Sequence, residues 1–228
     1  MGVQERRQRE REARRKAVLD AARELVRERG YNGTTTKQIA TACELSEATL
    51  FWYFKSKDEI FTSLLFEAID FMQQRIDALL LPDADPDQLL ADIWGIFTDL
   101  RTSYPEYFQV FTSLASPEAT AAVSAEVKAE LVRRSGENFR RVAELVGRAA
   151  SGQLAGGGAD LSSVAWTRVA TDVLWATFLG LGVLHDSRVN LGAPAHPTAP
   201  ELDQAFQLLA AGLAGGPSTI TAARSVDE

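Results

Sequence analysis

A chain of 228 residues can form one large domain or a small domain joined to a larger one, and a hydrophobic fraction of 46% provides a sizeable core. The single cysteine excludes a disulfide framework or a thiolate metal site within one chain, which is typical of a reducing cytoplasm. The N-terminus lacks the apolar segment of a secretory signal, and the longest apolar run, Val173 to Leu184, is shorter than the about 18 residues that a membrane span needs. We therefore expect a cytoplasmic protein without a membrane partner.

The net charge of −7 conceals an uneven distribution of charged residues. Residues 1–57 hold 13 Lys or Arg and 8 Asp or Glu, whereas residues 58–228 hold 11 and 23. A basic head on an acidic body suggests that one end of the chain binds a polyanion. Chance clustering of the charges is the alternative.

The first part of the chain contains the signals of four helices. Small and aliphatic residues at helical spacing predict a first helix that ends near Gly30. Capping boxes at Thr35 and Ser56 begin a second helix and a long fourth helix that ends before Pro82. Ser46 can cap a short third helix between them. The two short helices, with their connection, have the layout of a helix-turn-helix.

Helical spacing continues through the rest of the chain, so the predicted fold class is all-α, without strands or internal repeats. The predicted helices run from Asp85 to Tyr104, over a short aromatic segment at 107–111, from Ser116 to about Ala150, from about Leu161 to Leu184 and from Thr198 to Leu213. A flexible connection is predicted at 151–160 and a loop at 187–197.

The predicted third helix, Glu47 to Tyr53, lies within the stretch LSEATLFWYFKSKDEIF. Leu50 and Phe54 are four residues apart and can pack with Ile39 against the preceding helix. Hydroxyl and phenol groups on the opposite face can donate to phosphates, and aromatic rings there can contact thymine methyls or sugar edges. The candidates for DNA contacts on that face, at its margins and just beyond it are Glu47, Ala48, Thr49, Phe51, Trp52, Tyr53, Lys55 and Lys57.

Residues 17–65 resemble the DNA-binding domain of the tetracycline-repressor (TetR) family of bacterial regulators. The resemblance is carried by AVLDAARELVRERGYNGTTTKQIA and LSEATLFWYFKSKDEIFTSLL. It implies phosphate contacts by Thr35, Thr36, Thr49, Tyr53 and Lys57, and Lys55 lies close enough in sequence to join them. It implies that Lys37, Glu47, Ala48, Phe51 and Trp52 lie nearest the bases.

The chain is expected to contain four segments. They are a charged arm or helical extension at 1–16, a helix-turn-helix DNA-binding domain at 17–57, a helical ligand-binding and dimerisation domain at 58–214 that begins with a long helix, and a disordered tail at 215–228. The arm has two interpretations. It can lie along or in a minor groove, or it can form a solvated helical extension, which acid-first pairs such as Glu10 with Arg14 favour.

Two residues depart from the pattern of the family. Relatives often have Gly where Glu44 stands in the turn, so either Glu44 is left-handed at a cost of about 1 kcal/mol or more, or the turn has another shape. Glu47 is acidic where a basic or amide residue is common. It can accept from a cytosine N4 amine or act electrostatically at the helix N-terminus, and the sequence leaves both open.

The last two helices are the predicted dimerisation elements, because helix-turn-helix proteins usually bind two half-sites as two-fold dimers. Burial of these helices within one chain is the alternative. The predicted interface residues are Val173, Phe178, Leu181, Leu202, Phe206 and Leu209.

Aromatic residues in the middle of the body can line an apolar effector pocket between helices, although each can equally belong to the core. The predicted pocket residues are Trp94, Phe97, Tyr104, Phe108, Phe111, Phe139, Trp166 and Trp175. Arg101, Arg140 or Arg168 can orient an anionic group of the effector there.

The sequence therefore predicts a homodimeric, sequence-specific transcriptional regulator, a repressor released from a palindromic operator in double-stranded DNA by a small hydrophobic or aromatic effector. We expect no enzymatic activity, cofactor or metal, because His185 and His196 have no Cys or carboxylate cluster at ligand spacing and no motif combines a nucleophile with a base. A helical protein-interaction module that does not bind DNA is the alternative.

Overall fold

The computed structural model describes residues 2–81, 83–153 and 164–214, and these residues form helices and loops without a β-strand. The predicted all-α fold class is confirmed. The predicted tail at 215–228, the predicted helix start at Leu161 and residues 154–160 of the predicted connection lie outside the described residues. The helices in these ranges are α1 (Val3–Gly33), α2 (Thr36–Ala42), α3 (Glu47–Tyr53), α4 (Lys57–Leu79), α5 (Leu89–Ser103), α6 (Pro105–Ser113), α7 (Pro117–Ala121), α8 (Ala125–Gln153), α9 (Val164–Asn190) and α10 (Ala199–Ala214).

The chain divides into two compact units. The first contains Met1–Phe71 and Leu100–Ser135, and the second contains Met72–Asp99 and Gly136–Glu228. The predicted domain boundary at residue 57 does not separate these units, because the first unit includes α6, α7 and the beginning of α4 as well as the first three helices. The functional division at residue 57 stays a prediction.

Several helix boundaries differ from the prediction, and α5, for example, begins at Leu89 rather than at Asp85. α1 continues to Gly33 across a kink at Gly30, whose φ of 71° suits glycine. The single helix expected from Ser116 is divided into α7 and α8, since the Ser124 hydroxyl accepts from the Val127 N–H at 3.4 Å and marks a new helix start. α9 continues into the segment predicted as a loop and ends at Asn190.

A polar network joins α1 to α6 inside the first unit. Glu106 is only 3% exposed, and its carboxylate accepts from Arg27 Nε at 3.0 Å and lies 3.5 Å from Arg23 Nε. The Tyr31 N–H donates to Gln109 Oε1 at 3.2 Å. A buried carboxylate is stable only when cations and donors surround it, so these bonds fix α1 against α6.

Aromatic rings form the core of the second unit. The ring centroid of Trp94 lies 5.4 Å from that of Phe178, and the ring of Phe97 lies 5.2 Å from that of Trp175. Phe206 of α10 stacks on Trp94 at 5.2 Å. Edge-to-face and offset contacts at these distances are favourable, so this cluster ties α5, α9 and α10 together.

α9 is long and apolar enough, by length and composition alone, to cross a membrane. The apolar run from Val173 to Leu184 is only the central part of this helix, so its length alone does not reveal the length of α9. One side of α9, including Leu174 and Phe178, is buried in the second unit. A core helix of a water-soluble fold passes the same test, so α9 is weak evidence for a membrane span.

Candidate nucleic-acid interface

Local caps define the two short helices of the helix-turn-helix. The Thr35 hydroxyl accepts from the Gln38 N–H at 3.2 Å, and Gln38 Oε1 accepts from the Thr35 N–H at 2.9 Å, which completes the predicted capping box. The Ser46 hydroxyl accepts from the Thr49 N–H at 3.1 Å and caps α3 as predicted. These bonds fix where α2 and α3 begin.

The turn between α2 and α3 is a Schellman motif with glutamate at its left-handed position. Glu44 has a φ of 55°. The Leu45 N–H donates to the Ala40 carbonyl at 2.9 Å, and the Glu44 N–H donates to the Thr41 carbonyl at 3.1 Å. Of the two possibilities for this turn, the structure contains the left-handed residue, with a backbone strain of about 1–2 kcal/mol for a residue other than Gly.

The exposure of α3 follows the predicted division of its faces. Leu50 and Phe54 are buried at 0% and 1% exposure, whereas Trp52 is 85% exposed and Phe51 is 46% exposed. Other predicted contact residues divide into the exposed Lys37, Glu47 and Ala48 and the half-buried Thr49 and Tyr53. The side of α3 away from the core therefore presents an indole, a phenyl ring, hydroxyls and a carboxylate to solvent.

Glu47 makes a contact that the sequence did not predict. Its Oε1 accepts from the Thr36 hydroxyl at 2.7 Å, which joins the first turn of α3 to the first turn of α2. A hydroxyl has a single proton to donate, so Thr36 can donate to a phosphate only if Glu47 releases it. The acidic side chain thus has a partner within the protein, and the two roles that the sequence left open stay predictions.

Lys57 stands at the start of α4 above two aromatic rings. Its ammonium lies 4.6 Å from the ring centroid of Tyr31 and 5.5 Å from that of Phe61. Burial lowers the pKa of Lys57, and Asp58 partly offsets this effect. Burial and the hydrogen bond from the phenol to Asp58 raise the pKa of Tyr31. The cation is therefore held in place before any phosphate arrives.

Lys55 and the N-terminus of α4 are linked to the segment around the start of α8 within the first unit. Lys55 Nζ lies 3.6 Å from Glu126 Oε2. Ser56 caps the Glu59 N–H at 3.0 Å, as expected, but the Glu59 carboxylate accepts from the Ser124 N–H at 3.2 Å. The Glu59 carboxylate, which a capping box would place on the Ser56 N–H, therefore binds a segment far away in the sequence. Local residue spacing does not predict such a contact.

The N-terminal arm is helical, because α1 begins at Val3. This observation favours the helical-extension interpretation over an arm that lies along or in a minor groove. Arg15 donates to the Tyr53 carbonyl at the end of α3, and its guanidinium lies 4.1 Å from the ring centroid of Phe54. The extension is therefore attached to the C-terminus of α3.

The predicted pocket aromatics are distributed over both compact units. Trp94, Phe97 and Trp175 are buried in the ring cluster of the second unit, where they contact other rings. Tyr104, Phe108 and Phe111 belong to the first unit, with Arg101, whose guanidinium lies 5.1 Å from the Phe108 ring centroid. Trp166 is half-buried on α9.

A cleft of about 1030 Å³ lies within the second unit between α8 and α9. Phe139 is the one residue of the predicted pocket set that lines it. Arg140 and Arg168 line it too, and Arg148 there donates to the Leu79 and Leu81 carbonyls at 3.3 Å each. Glu144 and Asp172 also line the cleft, so an apolar ring is combined there with three cations and two carboxylates.

α9 also carries an exposed apolar stripe, which we call the valine stripe: Val169, Val173, Ala176, Gly180 and Val183. The alternating spacing of four and three residues is that of a helix packed along another helix. Of the predicted interface residues, Val173 is on this stripe at 39% exposure. Phe178 is 1% exposed and contacts Trp94, so it belongs to the core and is removed from the predicted interface. Leu181, Leu202, Phe206 and Leu209 are half-buried.

Among the described residues, no group of three or more His, Cys, Asp or Glu side chains is positioned to hold a metal ion. His196 instead pairs with Glu201, 2.8 Å away at the start of α10. His185 Nδ1 lies 3.0 Å from the Pro197 carbonyl. Both histidines therefore contact the loop or the cap before α10.

The helix-turn-helix matches known proteins. Residues 18–64 match the family described as bacterial regulatory proteins, tetR family. The N-terminal helix-turn-helix is thus similar to the DNA-binding segment of TetR-family regulators, over about a fifth of the chain. The resemblance seen in the sequence is confirmed.

Full-length similarity is limited to the fold. The transcriptional repressor NicS of Pseudomonas putida is 28% identical over 120 residues, which are 53% of this chain and 55% of NicS. The uncharacterized regulator YvkB of Bacillus subtilis is 48% identical over 50 residues, 22% of this chain and 26% of YvkB. The chain thus matches about half or less of these curated relatives. The crystal structure of FadR from Bacillus subtilis with stearoyl-CoA has a TM-score of 0.62 and 17% identity, over 85% of this chain and 96% of that chain.

Proposed function

We propose that this protein is a homodimeric transcriptional regulator of the TetR family, a repressor that binds a two-fold operator through α3 and releases it when a small effector binds. The observation that carries the proposal is the exposed face of α3, with Trp52 at 85% exposure next to hydroxyls on a short, well-capped helix. A large indole exposed beside polar groups is typical of a binding surface. The proposal includes the cytoplasm as location and no catalytic step.

The proposed DNA contacts fall into two groups. Phosphates are bound by Thr35, Thr36, Thr49, Tyr53, Lys55 and Lys57, and bases are approached by Lys37, Glu47, Ala48, Phe51 and Trp52. Phosphate contacts set position without reading sequence, whereas base contacts read it. Thr36 is expected to bind phosphate through its backbone N–H at the start of α2, because its hydroxyl donates to Glu47.

The proposed dimer forms through the valine stripe of α9 together with Leu202, Phe206 and Leu209 of α10. Val169 is 61% exposed and Val183 is 39% exposed, and water contact with such side chains is unfavourable. A Cβ added to Gly180 would meet nothing within 4 Å among the residues that the structure describes, so the space above it can accept a second helix. Two helices from each subunit then form a four-helix interface.

The proposed effector is a small hydrophobic or aromatic molecule, and its proposed site is the cleft between α8 and α9. Since FadR is described with stearoyl-CoA, acyl-CoA thioesters are the first probes. α4 is continuous from Lys57 to Leu79, so a displacement along it can move Lys57 and change the half-site spacing. Coupling of about 1–3 kcal/mol between effector and operator is typical of such switches.

The test begins with selection of bound duplexes from a random library. We expect an inverted repeat whose half-site centres are about 10 base pairs apart, and a steep salt dependence of binding. No enriched sequence and no duplex retained at low salt would contradict DNA binding and favour a protein-interaction module. Acyl-CoA thioesters and the free acids are then titrated into the complex, and unchanged operator affinity with every probe would reject them as effectors.

Two variants separate the proposed contact groups. Lys57→Met removes a charge but keeps an apolar stem over the Tyr31 ring, so it should weaken binding to all sequences alike and flatten the salt dependence. Trp52→Ala should change the selected sequence. A changed base preference in the Lys57 variant would mean that the two groups are wrongly assigned.

A further inference from the structure

The N-terminal part of α1 forms one wall of a cleft in the first unit, and α3 forms the other. The cleft has a volume of about 670 Å³. Its lining residues are Arg7, Glu10, Arg11 and Arg14 from α1, and Thr49, Trp52 and Tyr53 from α3. The face of α3 that the proposed function assigns to DNA is therefore continuous with the charged face of the extension.

Three arginines share this face of α1 because of their spacing. Arg7, Arg11 and Arg14 are at i, i+4 and i+7, which places them in one row along a helix. Glu10 is the acidic residue in the lining, and its carboxylate lies 3.7 Å from Arg6 Nε. The wall is therefore cationic, and guanidinium groups bind phosphate through paired N–H donors.

Arg15 sets the position of this wall relative to α3. Its guanidinium donates to the Tyr53 carbonyl and packs over the Phe54 ring, 4.1 Å from the centroid. The carbonyl groups at the end of a helix carry partial negative charge, so a cation there is stabilised. The extension is thus attached to the same helix that forms the opposite wall.

The helical form decides how the extension can meet DNA. A helix with its side chains is about 10–12 Å across, whereas the minor groove of B-DNA is about 6 Å wide. The extension therefore does not enter the minor groove, which was one interpretation of the arm. A row of arginines beside an exposed indole suits the sugar-phosphate strand, whose phosphates are anionic and whose sugars have apolar edges.

We propose that Arg7, Arg11 and Arg14 bind phosphates of the operator strand that borders the segment contacted by α3, so that α1 and α3 hold this strand from two sides. This inference rests on the proposed function and adds a second set of phosphate contacts to the helix-turn-helix. Arg15 is a positioning residue that keeps the arginine row at the cleft.

The test compares two double variants on the selected duplex. Arg7→Gln with Arg11→Gln removes two charges from the cleft. Arg9→Gln with Lys16→Gln removes the same formal charge from positions roughly 160° around the helix. Circular dichroism verifies that both variants keep the helix content of the unmodified protein, and operator affinity is measured between low and high salt.

We expect the cleft variant to bind about 10-fold to 100-fold more weakly at 0.1 M salt, with the magnitude of the log–log salt slope lower by about 1.8 per half-site. The control variant should lose much less affinity. Equal losses in both variants would mean that total charge acts at a distance, and the proposal would be overturned. Unchanged affinity and slope in the cleft variant would overturn it too.

Two further measurements separate this proposal from its alternatives. If the unmodified protein retains no duplex, the proposed function itself is wrong. If the unmodified protein and the cleft variant bind the duplex with equal affinity, only the proposed arginine contacts are wrong. Ethylation interference should reveal phosphates that matter for the unmodified protein and not for the cleft variant. A set of interfering phosphates identical in both would indicate that the arginines serve another anion.

Arg15→Gln tests the positioning role. It removes no proposed phosphate contact, yet it should lower the salt slope because the extension is no longer attached to α3. Adding Arg7→Gln and Arg11→Gln to this variant should then have less effect than in the unmodified protein. Full additivity of the changes would show that Arg15 does not position the row.

Discussion

The face of α3 and the valine stripe of α9 are both exposed in this chain, but their chemistry differs. On α3, Trp52 at 85% exposure stands beside hydroxyls and faces a row of arginines. On α9, the stripe contains aliphatic side chains and glycine, with Val169 at 61% exposure. A mixed aromatic and polar face suits a hydrated, charged partner, whereas an aliphatic stripe at heptad spacing suits another helix. Exposure alone thus indicates a partner, and the neighbouring groups indicate which kind.

The largest expected effect contrasts two aromatic residues of the same short run. Phe54→Ala should lower the free energy of unfolding by about 3–5 kcal/mol, because the ring is 1% exposed and lies beneath Arg15. Trp52→Ala should change that free energy by less than about 0.5 kcal/mol and weaken operator binding about tenfold or more. Urea unfolding and operator titration measure the two quantities. A marked loss of stability in the Trp52 variant would mean that its indole serves the fold rather than DNA.

The next largest effect is expected from a charge placed on the valine stripe of α9. Val173→Lys should raise the dissociation constant of the dimer by about 100-fold or more, since an unpaired ammonium would be buried at the interface in each subunit. Analytical ultracentrifugation measures the dimer, and circular dichroism the fold. Val132→Lys on α8 is the matched control, because Val132 is 71% exposed and lies outside the stripe.

Gly180→Leu gives an independent test of the same surface. A Cβ at this position meets nothing within 4 Å in the described part of the chain, so the monomer should fold at least as well as before. A weaker dimer would then arise from contacts between subunits. If both the Val173 and the Gly180 variants remain dimers of unchanged affinity, the stripe is not the interface.

The two surfaces also differ in how much of them the sequence predicts. The bounds of α3 follow from a capping serine and a turn, and the alternation of Leu50 and Phe54 with Trp52 follows from helical spacing, so the exposed face of α3 is predictable. The contacts that α3 makes with α1 and α2 are not predictable. Thr36 contacts Glu47, and Arg15 contacts Tyr53, between positions that no local sequence pattern connects. These contacts depend on how the helices pack.

In the second unit, composition predicts that α9 is apolar and that aromatic residues are abundant, but not which side chains face the core and which face solvent. α9 is apolar nearly all round, so the sequence assigned both Val173 and Phe178 to the dimer interface, although Phe178 is in the core. Likewise, several aromatic residues predicted to line a pocket are packed against one another in the core of the second unit, as Phe97 is with Trp175. A helix with two apolar faces gives no periodicity from which the buried side can be identified.

A smaller effect concerns the turn that aims α3. Glu44→Gly should raise the free energy of unfolding by about 1 kcal/mol, because glycine adopts the left-handed φ without a Cβ penalty, although its freer unfolded chain offsets part of the gain. Glu24→Gly on the exposed side of α1 is the control and should cost about 1 kcal/mol. Chemical denaturation measures both. Destabilisation by both changes would mean that the Glu44 side chain has a role that its backbone angle does not reveal.

The smallest expected effect concerns the hydrogen bond between Thr36 and Glu47 at the α3 face. A double-mutant cycle of Thr36→Val and Glu47→Ala should give a coupling of about 0.5 kcal/mol in unfolding, because the hydroxyl to carboxylate bond is exposed to water. Glu47→Gln keeps an acceptor for Thr36 and removes a negative charge, so it should strengthen binding to unrelated duplexes while altering the preferred operator. The valine stripe has no such charge to remove, and dimer affinity should not respond. If Glu47→Gln leaves both the affinity for unrelated duplexes and the preferred sequence unchanged, the carboxylate acts only inside the helix-turn-helix, and the bases are read by its neighbours on α3.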